Sequence, residues 1–432
     1  MDEYKAGDEV LVKTDTEELQ GLFIERPDIL DRDVFVLKLK SGYNIGIDKN
    51  KIKKVELINK SLAKQTKKLS QAYNKELPTV SILSLGGTIS SKVDYRTGGV
   101  YADYTAEDFV AMLPELKDVA NLKTRKVMNV MSEDMDFEDW AKTAKAVAEE
   151  LKSGSEGVVL TQGTDTLHYS ASALSFFLQD LNKPVILTAA QRSIDRGSSD
   201  AFMNLLCAVR AAAEMDIAEV LTCMHASSND DFCSLVRGTK VRKMHTSRRD
   251  AFRPLNSKPV ANIYESGKIQ IIDRYYRKRN QQEICLRTEY EEKVALIHVF
   301  PGMDPGVIHY YLDKGYCGLV LAATALGHVP LNTKNSLEPA LKSAREKNVP
   351  VVIASQTLYG RVHSFVYTNL RKLSIENDCI FVEDMNPETA YVKLSWLLGQ
   401  SGDKSPETTK KQMLQNYAGE IEKRSEYNTF LY

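Results

Sequence analysis

The 432-residue sequence lacks most of the features that would assign it early. It has no excess of charge: 57 Lys and Arg against 58 Asp and Glu leave a formal net charge of -1, so nothing global favours nucleic acid or a membrane surface. No stretch approaches the ~18 consecutive apolar residues of a membrane-spanning helix, and the opening MDEYKAGDEV is acidic and polar, unlike a secretory signal. Six cysteines occur without C-x-x-C or zinc spacing and read as buried, reduced thiols of a cytoplasmic protein. There is no G-x-x-x-x-G-K-[ST] loop for a nucleotide and no metal-ligand spacing. Internal repeats and low-complexity segments are also missing. What is present is an ordinary globular composition, 43% hydrophobic and 27% charged, in a chain long enough for two or three domains.

Residues 1–57 alternate short apolar runs (Val10–Val12, Gly21–Ile24, Val34–Leu39, Tyr43–Ile47) with turn signals, which predicts a small all-β barrel of the SH3 or Tudor type. Residues 58–78 form a basic linker containing Lys64, Lys67 and Lys68. From Thr79 strands alternate with amphipathic helices, the pattern of a mainly parallel α/β sheet. The division expected is one α/β domain over 79–275, a second over 276–398, and a tail over 399–432. Helices are expected at Phe137–Lys152, Leu167–Asp180, Asp200–Met215, Pro305–Lys314, Leu337–Lys347 and Glu407–Tyr417.

Two junctions stand out. The run Val80–Leu83 ends in Gly86-Gly87-Thr88, and Val158–Leu160 leads to Gly163-Thr164-Asp165 at the start of a helix. Glycines ending a buried strand allow a sharp turn and close approach of a ligand to the main chain. A hydroxyl just beyond lies where α/β proteins place functional groups, outside the carboxyl end of the sheet. Either junction alone is an ordinary turn or helix cap; two in one sheet converge on one crevice. A third stretch, Gly238–Phe252, is basic, and either Lys240 or Lys243 could approach Asp165 and help to activate a threonine hydroxyl.

Leu85–Ser90 (LGGTIS), Ser132–Met135 (SEDM), Gln162–Thr166 (QGTDT), and Lys243 to His245 followed by Asp250–Phe252 (DAF) together resemble the bacterial-type L-asparaginase family, over about 79–398. That resemblance implies a two-domain fold and a site with two threonines. Thr88 is similar to the mobile nucleophile, with Tyr101 as its partner. Thr164, Asp165 and Lys243 match a second triad, while Ser132 and Glu133, with Thr164 and Asp165, would hold the substrate's α-carboxylate and α-amino group. An unactivated hydroxyl needs a base or relay, and an ammonium must lose its proton before it can be that base, which burial favours and a nearby carboxylate opposes. Either Thr88 or Thr164 could attack, and Thr88 is favoured. His168, His245 and His363 read as structural, hydrogen-bonded histidines. The acid that free asparaginases supply from a neighbouring subunit soon after a glycine turn has no counterpart here, because Gly360 is followed by no Asp or Glu until Glu376.

The barrel, Ala189–Leu205, Ser355–Leu373 and the tail Asn416–Ile421 resemble one branch of that family, the D subunits of archaeal glutamyl-tRNA(Gln) amidotransferases. The resemblance implies hydrolysis of glutamine to glutamate and ammonia. It also implies a GatE-type partner that uses ATP and Mg2+ on Glu-tRNA(Gln), two D and two E subunits per complex, tRNA contacts mainly through the partner, and no cofactor in this chain. Two other readings compete: a free-standing cytoplasmic L-asparaginase or glutaminase, and an inactive tRNA-binding scaffold that would use Lys60–Lys68 and Arg248-Arg249. The polar, glycine-containing stretch Ser90–Val100 between Thr88 and Tyr101 is expected to close over the substrate as a lid.

Overall fold

A computed structural model describes residues 4–5, 7–24, 33–39, 44–60, 73–87, 91–93, 100–102, 113–192, 199–400 and 402–432. Thr88, most of the basic linker and the centre of the expected lid lie outside the described residues, and of Tyr101 only the backbone is described.

The N-terminal module is an antiparallel five-stranded sheet in the order Asn44–Asp48, Val34–Leu39, Glu18–Ile24, Glu9–Thr14, Ile52–Asn59. Its own core comprises Val10, Val12, Phe35, Leu37 and Ile47. The sequence pattern does not predict the last strand: Lys53, Lys54 and Glu56 give it a charged surface, and it is recognised only by its pairing with Glu9–Thr14.

The first α/β unit is built on eight strands in the order Ile269–Ile271, Ala261–Tyr264, Phe232–Arg237, Val220–His225, Val185–Thr188, Gly157–Thr161, Thr79–Ser84, Asn121–Lys126. The five strands from Val220–His225 to Asn121–Lys126 are parallel; the near-continuous apolar runs of Thr79–Ser84, Gly157–Thr161 and Val185–Thr188 predict this, whereas the mostly polar Asn121–Lys126 has no such run. The other three extend the sheet antiparallel. Helix Phe137–Lys152 starts where the sequence places it, because Asp136 and Asp139 form a reciprocal capping box. The helix beginning at Leu167 stops at Phe177 rather than at Asp180, since Leu178–Gln179 pairs with Cys285–Leu286. The second unit is a parallel four-stranded sheet, Val294–His298, Gly318–Ala323, Val351–Ser355, Ile380–Phe381.

Besides a cluster of its own in each, the two units share one apolar core. It runs from Leu83 and Leu160 through Phe176 and Phe177 to Val320, Val352 and Trp396, and includes Met413 and Ala418 of the tail. Helices Leu167–Phe177 and Pro387–Gly399 meet there, with Phe176 stacked on Trp396 at 5.5 Å. All six cysteines are free, but only four are buried: Cys285 is half-buried and Cys317 exposed, which corrects the expectation that all would be internal. Among the described residues no helix is long and apolar enough to cross a membrane.

Candidate active site

Three neighbouring parallel strands, Asn121–Lys126, Thr79–Ser84 and Gly157–Thr161, deliver their following loops to one edge of the sheet. The register pairs Ser84 with both Lys126 and Thr161, so the loops emerge level with one another. The pairing continues past the strands: Leu85 N donates to Thr161 O (2.8 Å), and Val130 N to Leu85 O (2.9 Å).

The glycines are there because the loops interlock. Gly87 has φ +83°, and a Cβ on it would fall 2.0 Å from Gly163 N. A Cβ on Gly163 would fall 2.6 Å from Ser132 Oγ. The Gly86-Gly87 and Gly163-Thr164 turns are therefore in backbone contact, and the Ser132 loop lies against the second of them. Thr88 follows Gly87 directly in the chain. Beyond it the backbones of Ser91–Val93 and Val100–Ala102 pair antiparallel, with Lys92 in register with Tyr101.

Lys243 reaches this edge from the hairpin Val241–Lys243/Phe252–Pro254. Its Nζ lies 2.9 Å from Thr164 Oγ1 and 2.6 Å from Asp165 Oδ1. Thr164 is buried; the Asp165 side chain is 61% exposed and so can meet both a ligand and the lysine. Asp165 N donates to Ser132 Oγ (3.1 Å), and the Thr166 hydroxyl donates to Ser132 O. Thr166 therefore makes no side-chain cap for the helix it precedes; its hydroxyl ties the Ser132 loop to the Thr164 loop. Ser132 is buried, Glu133 is exposed beside it, and Ser132 Oγ lies 3.5 Å from Glu133 Oε2. Thr164, Asp165, Lys243, Ser132 and Glu133 thus stand together at one edge.

Lys240 is not part of this cluster. It is buried and ion-paired with Asp384 at 2.7 Å. His245 Nδ1 accepts from Ser247 N and Arg248 N, and His363 Nδ1 from Phe365 N, so both are hydrogen-bonded as expected. His168 is not: its Nδ1 is buried with no partner. Burial lowers its pKa to about 4; the Glu388 carboxylate opposes this, while Arg242 and Lys243 reinforce it. The Gly360 turn is fixed by Asn256, whose Oδ1 accepts Gly360 N at 2.8 Å, and the next residue, Arg361, pairs with Glu383 at 2.6 Å. Sequence reasoning missed Asp384 and Glu388, which grip Lys240 and Arg242; the available signal was the density of cations in the short segment Lys240, Arg242, Lys243.

Three family models match the chain: "GatD N-terminal domain" over residues 4–58, "Asparaginase, N-terminal" over 79–277, and "Glutaminase/Asparaginase C-terminal domain" over 293–413. Among solved structures, the thermostable L-asparaginase from Thermococcus kodakarensis superposes with TM-score 0.70 at 28% identity, covering 80% of this chain and 100% of that one. L-asparaginase I from Vibrio cholerae gives 0.69 at 28% identity, covering 80% and 99%. The D subunit of the glutamyl-tRNA(Gln) amidotransferase of Pyrococcus furiosus is 48% identical over 96% of this chain and 93% of its own length. Its counterpart in Methanothermobacter thermautotrophicus is 46% identical over 97% and 94%. With near full-length identity to these proteins and a matching N-terminal module, the chain belongs to the family of glutamyl-tRNA(Gln) amidotransferase D subunits.

Proposed function

We propose that this chain is the glutaminase subunit of a tRNA-dependent amidotransferase, hydrolysing glutamine to glutamate and ammonia. The observation that carries the reading is Lys243 Nζ within hydrogen-bond distance of both Thr164 Oγ1 and Asp165 Oδ1, at the edge where the Gly87 and Gly163 turns touch. In this reading the Thr88 hydroxyl attacks the side-chain carboxamide carbon of glutamine. Its proton passes by way of Tyr101 to the amide nitrogen, and the C–N bond breaks to release ammonia. A water molecule oriented by Thr164, which Lys243 and Asp165 polarise, then hydrolyses the Thr88 ester, frees glutamate and restores the hydroxyl. Ser132, Glu133 and Asp165 hold the α-carboxylate and α-amino group, Asp165 and Glu133 taking the part of the acid that the Gly360 turn does not supply.

Ammonia is consumed by a GatE-type partner, which activates Glu-tRNA(Gln) with ATP and Mg2+ and carries most tRNA contacts in a complex of two D and two E subunits. The joint reaction is that of a ligase forming a carbon–nitrogen bond. This chain brings no cofactor and works in the cytoplasm. The test is Thr88→Ala in the reconstituted complex: glutamine-dependent amidation is lost, while ammonium salts still support it, because only the nitrogen source has been removed. Equal loss with both donors would assign Thr88 a structural part. The likeness to L-asparaginases favours one second reading, a free-standing amidohydrolase; strong ammonia release from asparagine without partner or tRNA would establish it over the first.

A further inference from the structure

Lys243 is held differently from the rest of the site. Thr164, Asp165, Ser132 and Glu133 lie in loops that follow parallel strands of the eight-stranded sheet, whereas Lys243, beyond the sheet's antiparallel strand Phe232–Arg237, lies on Val241–Lys243, which pairs with Phe252–Pro254 in a separate two-stranded ribbon. The position of the lysine relative to Thr164 is therefore set in part by contacts outside the main sheet.

Besides Ser172 of helix Leu167–Phe177, whose Oγ donates to Gly238 O at 3.3 Å, the contacts come from one short run of the second α/β unit, where the chain leaves Ile380–Phe381 and enters helix Pro387–Gly399. Lys240 Nζ donates to Asp384 Oδ2 at 2.7 Å, with both side chains 1% exposed. Arg242 donates to Glu388 Oε1 through Nε (2.8 Å) and Nη2 (2.7 Å). Thr389 Oγ1 donates to Thr239 O (3.2 Å). The run is itself fixed: Asn386 caps the helix by accepting Thr389 N at 2.7 Å. Asp384 Oδ1 accepts the tail's Glu422 N (3.0 Å), and Thr239 Oγ1 donates to the tail's Ala418 O (3.1 Å).

A buried ion pair is a poor source of stability, since apolar residues of similar volume serve as well or better, but it is directional. The buried Lys240–Asp384 pair and the half-buried Arg242–Glu388 pair leave the segment that ends in Lys243 little freedom to slide or twist. The geometry points to Asp384 and Glu388 as positioning residues that set Lys243 against Thr164 and Asp165 from the second α/β unit, acting through Lys240 and Arg242. The inference rests on the reading of Lys243 as a site residue given above.

The test replaces charge by volume. In a Lys240→Met/Asp384→Leu double variant, reconstituted with its partner, kcat for ammonia release from glutamine falls at least about tenfold while KM stays within about twofold, as expected for a displaced rather than deleted group. The melting temperature stays within a few degrees of wild type. Glu388→Leu gives the same split, and Glu388→Gln, which keeps an oxygen for Arg242, restores part of kcat. Independently of turnover, trinitrobenzenesulfonate modifies Lys243 several-fold faster in the variants, read by peptide mass spectrometry. Wild-type kcat and wild-type labelling in the folded variants overturn the proposal. Should the double variant not fold, Glu388→Leu decides alone, since its bereft Arg242 is one-third exposed and can reach water. If the wild-type complex releases no ammonia from glutamine, the proposed function fails and the labelling rates alone judge the positioning.

Discussion

Gly87 and Gly163 carry no functional group, yet the site is built around them. Two backbone turns can touch only where neither bears a Cβ, and at Gly87 the positive φ adds a conformational cost for any other residue. Gly87→Ala is expected to push the two turns apart and lower kcat for ammonia release by about a hundredfold, since misplacement of about an ångström has that effect. Thermal unfolding recorded alongside should show a far smaller proportional loss; near wild-type turnover would show that the contact between the turns is dispensable. His168 makes a different residue-scale prediction. Its ordinary pKa of 6.5 falls to about 4 in the folded protein because burial penalises the imidazolium. Between those values the unfolded chain binds the extra proton, so stability is fully present above pH 6.5 and lost as pH falls towards 4. The loss is on the order of 3 kcal/mol. Urea unfolding of His168→Gln should lack this component, so that its stability curve diverges from wild type below pH 6.5; parallel curves would mean that His168 does not titrate in this way.

At the scale of elements, the tail is structural and not an appendage. Glu420 and Lys393 are both fully buried and paired at 2.7 Å, and Glu420 also accepts from Tyr417 N and Ala418 N. Lys393 donates in addition to Met413 O and Gln415 O, pinning the end of helix Pro406–Leu414. Glu420→Ala strands an ammonium in the core and is expected to cost about 3–5 kcal/mol of unfolding free energy; a loss below about 1 kcal/mol in equilibrium denaturation would show that the pair is not sustaining the tail. Apart from the helix expected near Glu407, the sequence made this tail look polar, because a buried ion pair between residues 27 apart has no local signature. Elements with local signatures were legible: Phe137–Lys152 from its acids and cap, and the central parallel strands from their unbroken apolar runs. Helix Pro387–Gly399 was not, since burial on nearly every side, including Glu388 and Lys393, erases the amphipathic period. The same division runs through the site. Strand–Gly–Thr junctions read directly, but composition could not choose between Lys240 and Lys243, because their partners, Asp384 and Asp165, lie 144 and 78 residues away.

For the molecule as a whole, core continuity says more than the order of segments along the chain. The two α/β units and the tail share one apolar cluster in which Phe176, Trp396 and Met413 belong together, and Ser172 and Thr389 hydrogen-bond across the junction at 2.9 Å. The N-terminal module keeps a separate core of five buried residues, and the hydrophobic residues packed against it, from Tyr4 to Leu57, all come from the module itself. A core of that size supports only marginal stability, whereas the shared core ties its two sheets into one cooperative unit. Denaturation should therefore proceed in two steps and not three. Amides of Val10 and Val12 should exchange with solvent at free energies well below those of Val158 to Leu160, while Leu321 and Ile353 in the second sheet match the first. Deleting residues 1–59 should remove the early step and leave the later one at the same denaturant concentration. Separate unfolding of the two α/β units would contradict the shared core, and with it the route by which Asp384 and Glu388 are inferred to act on Lys243.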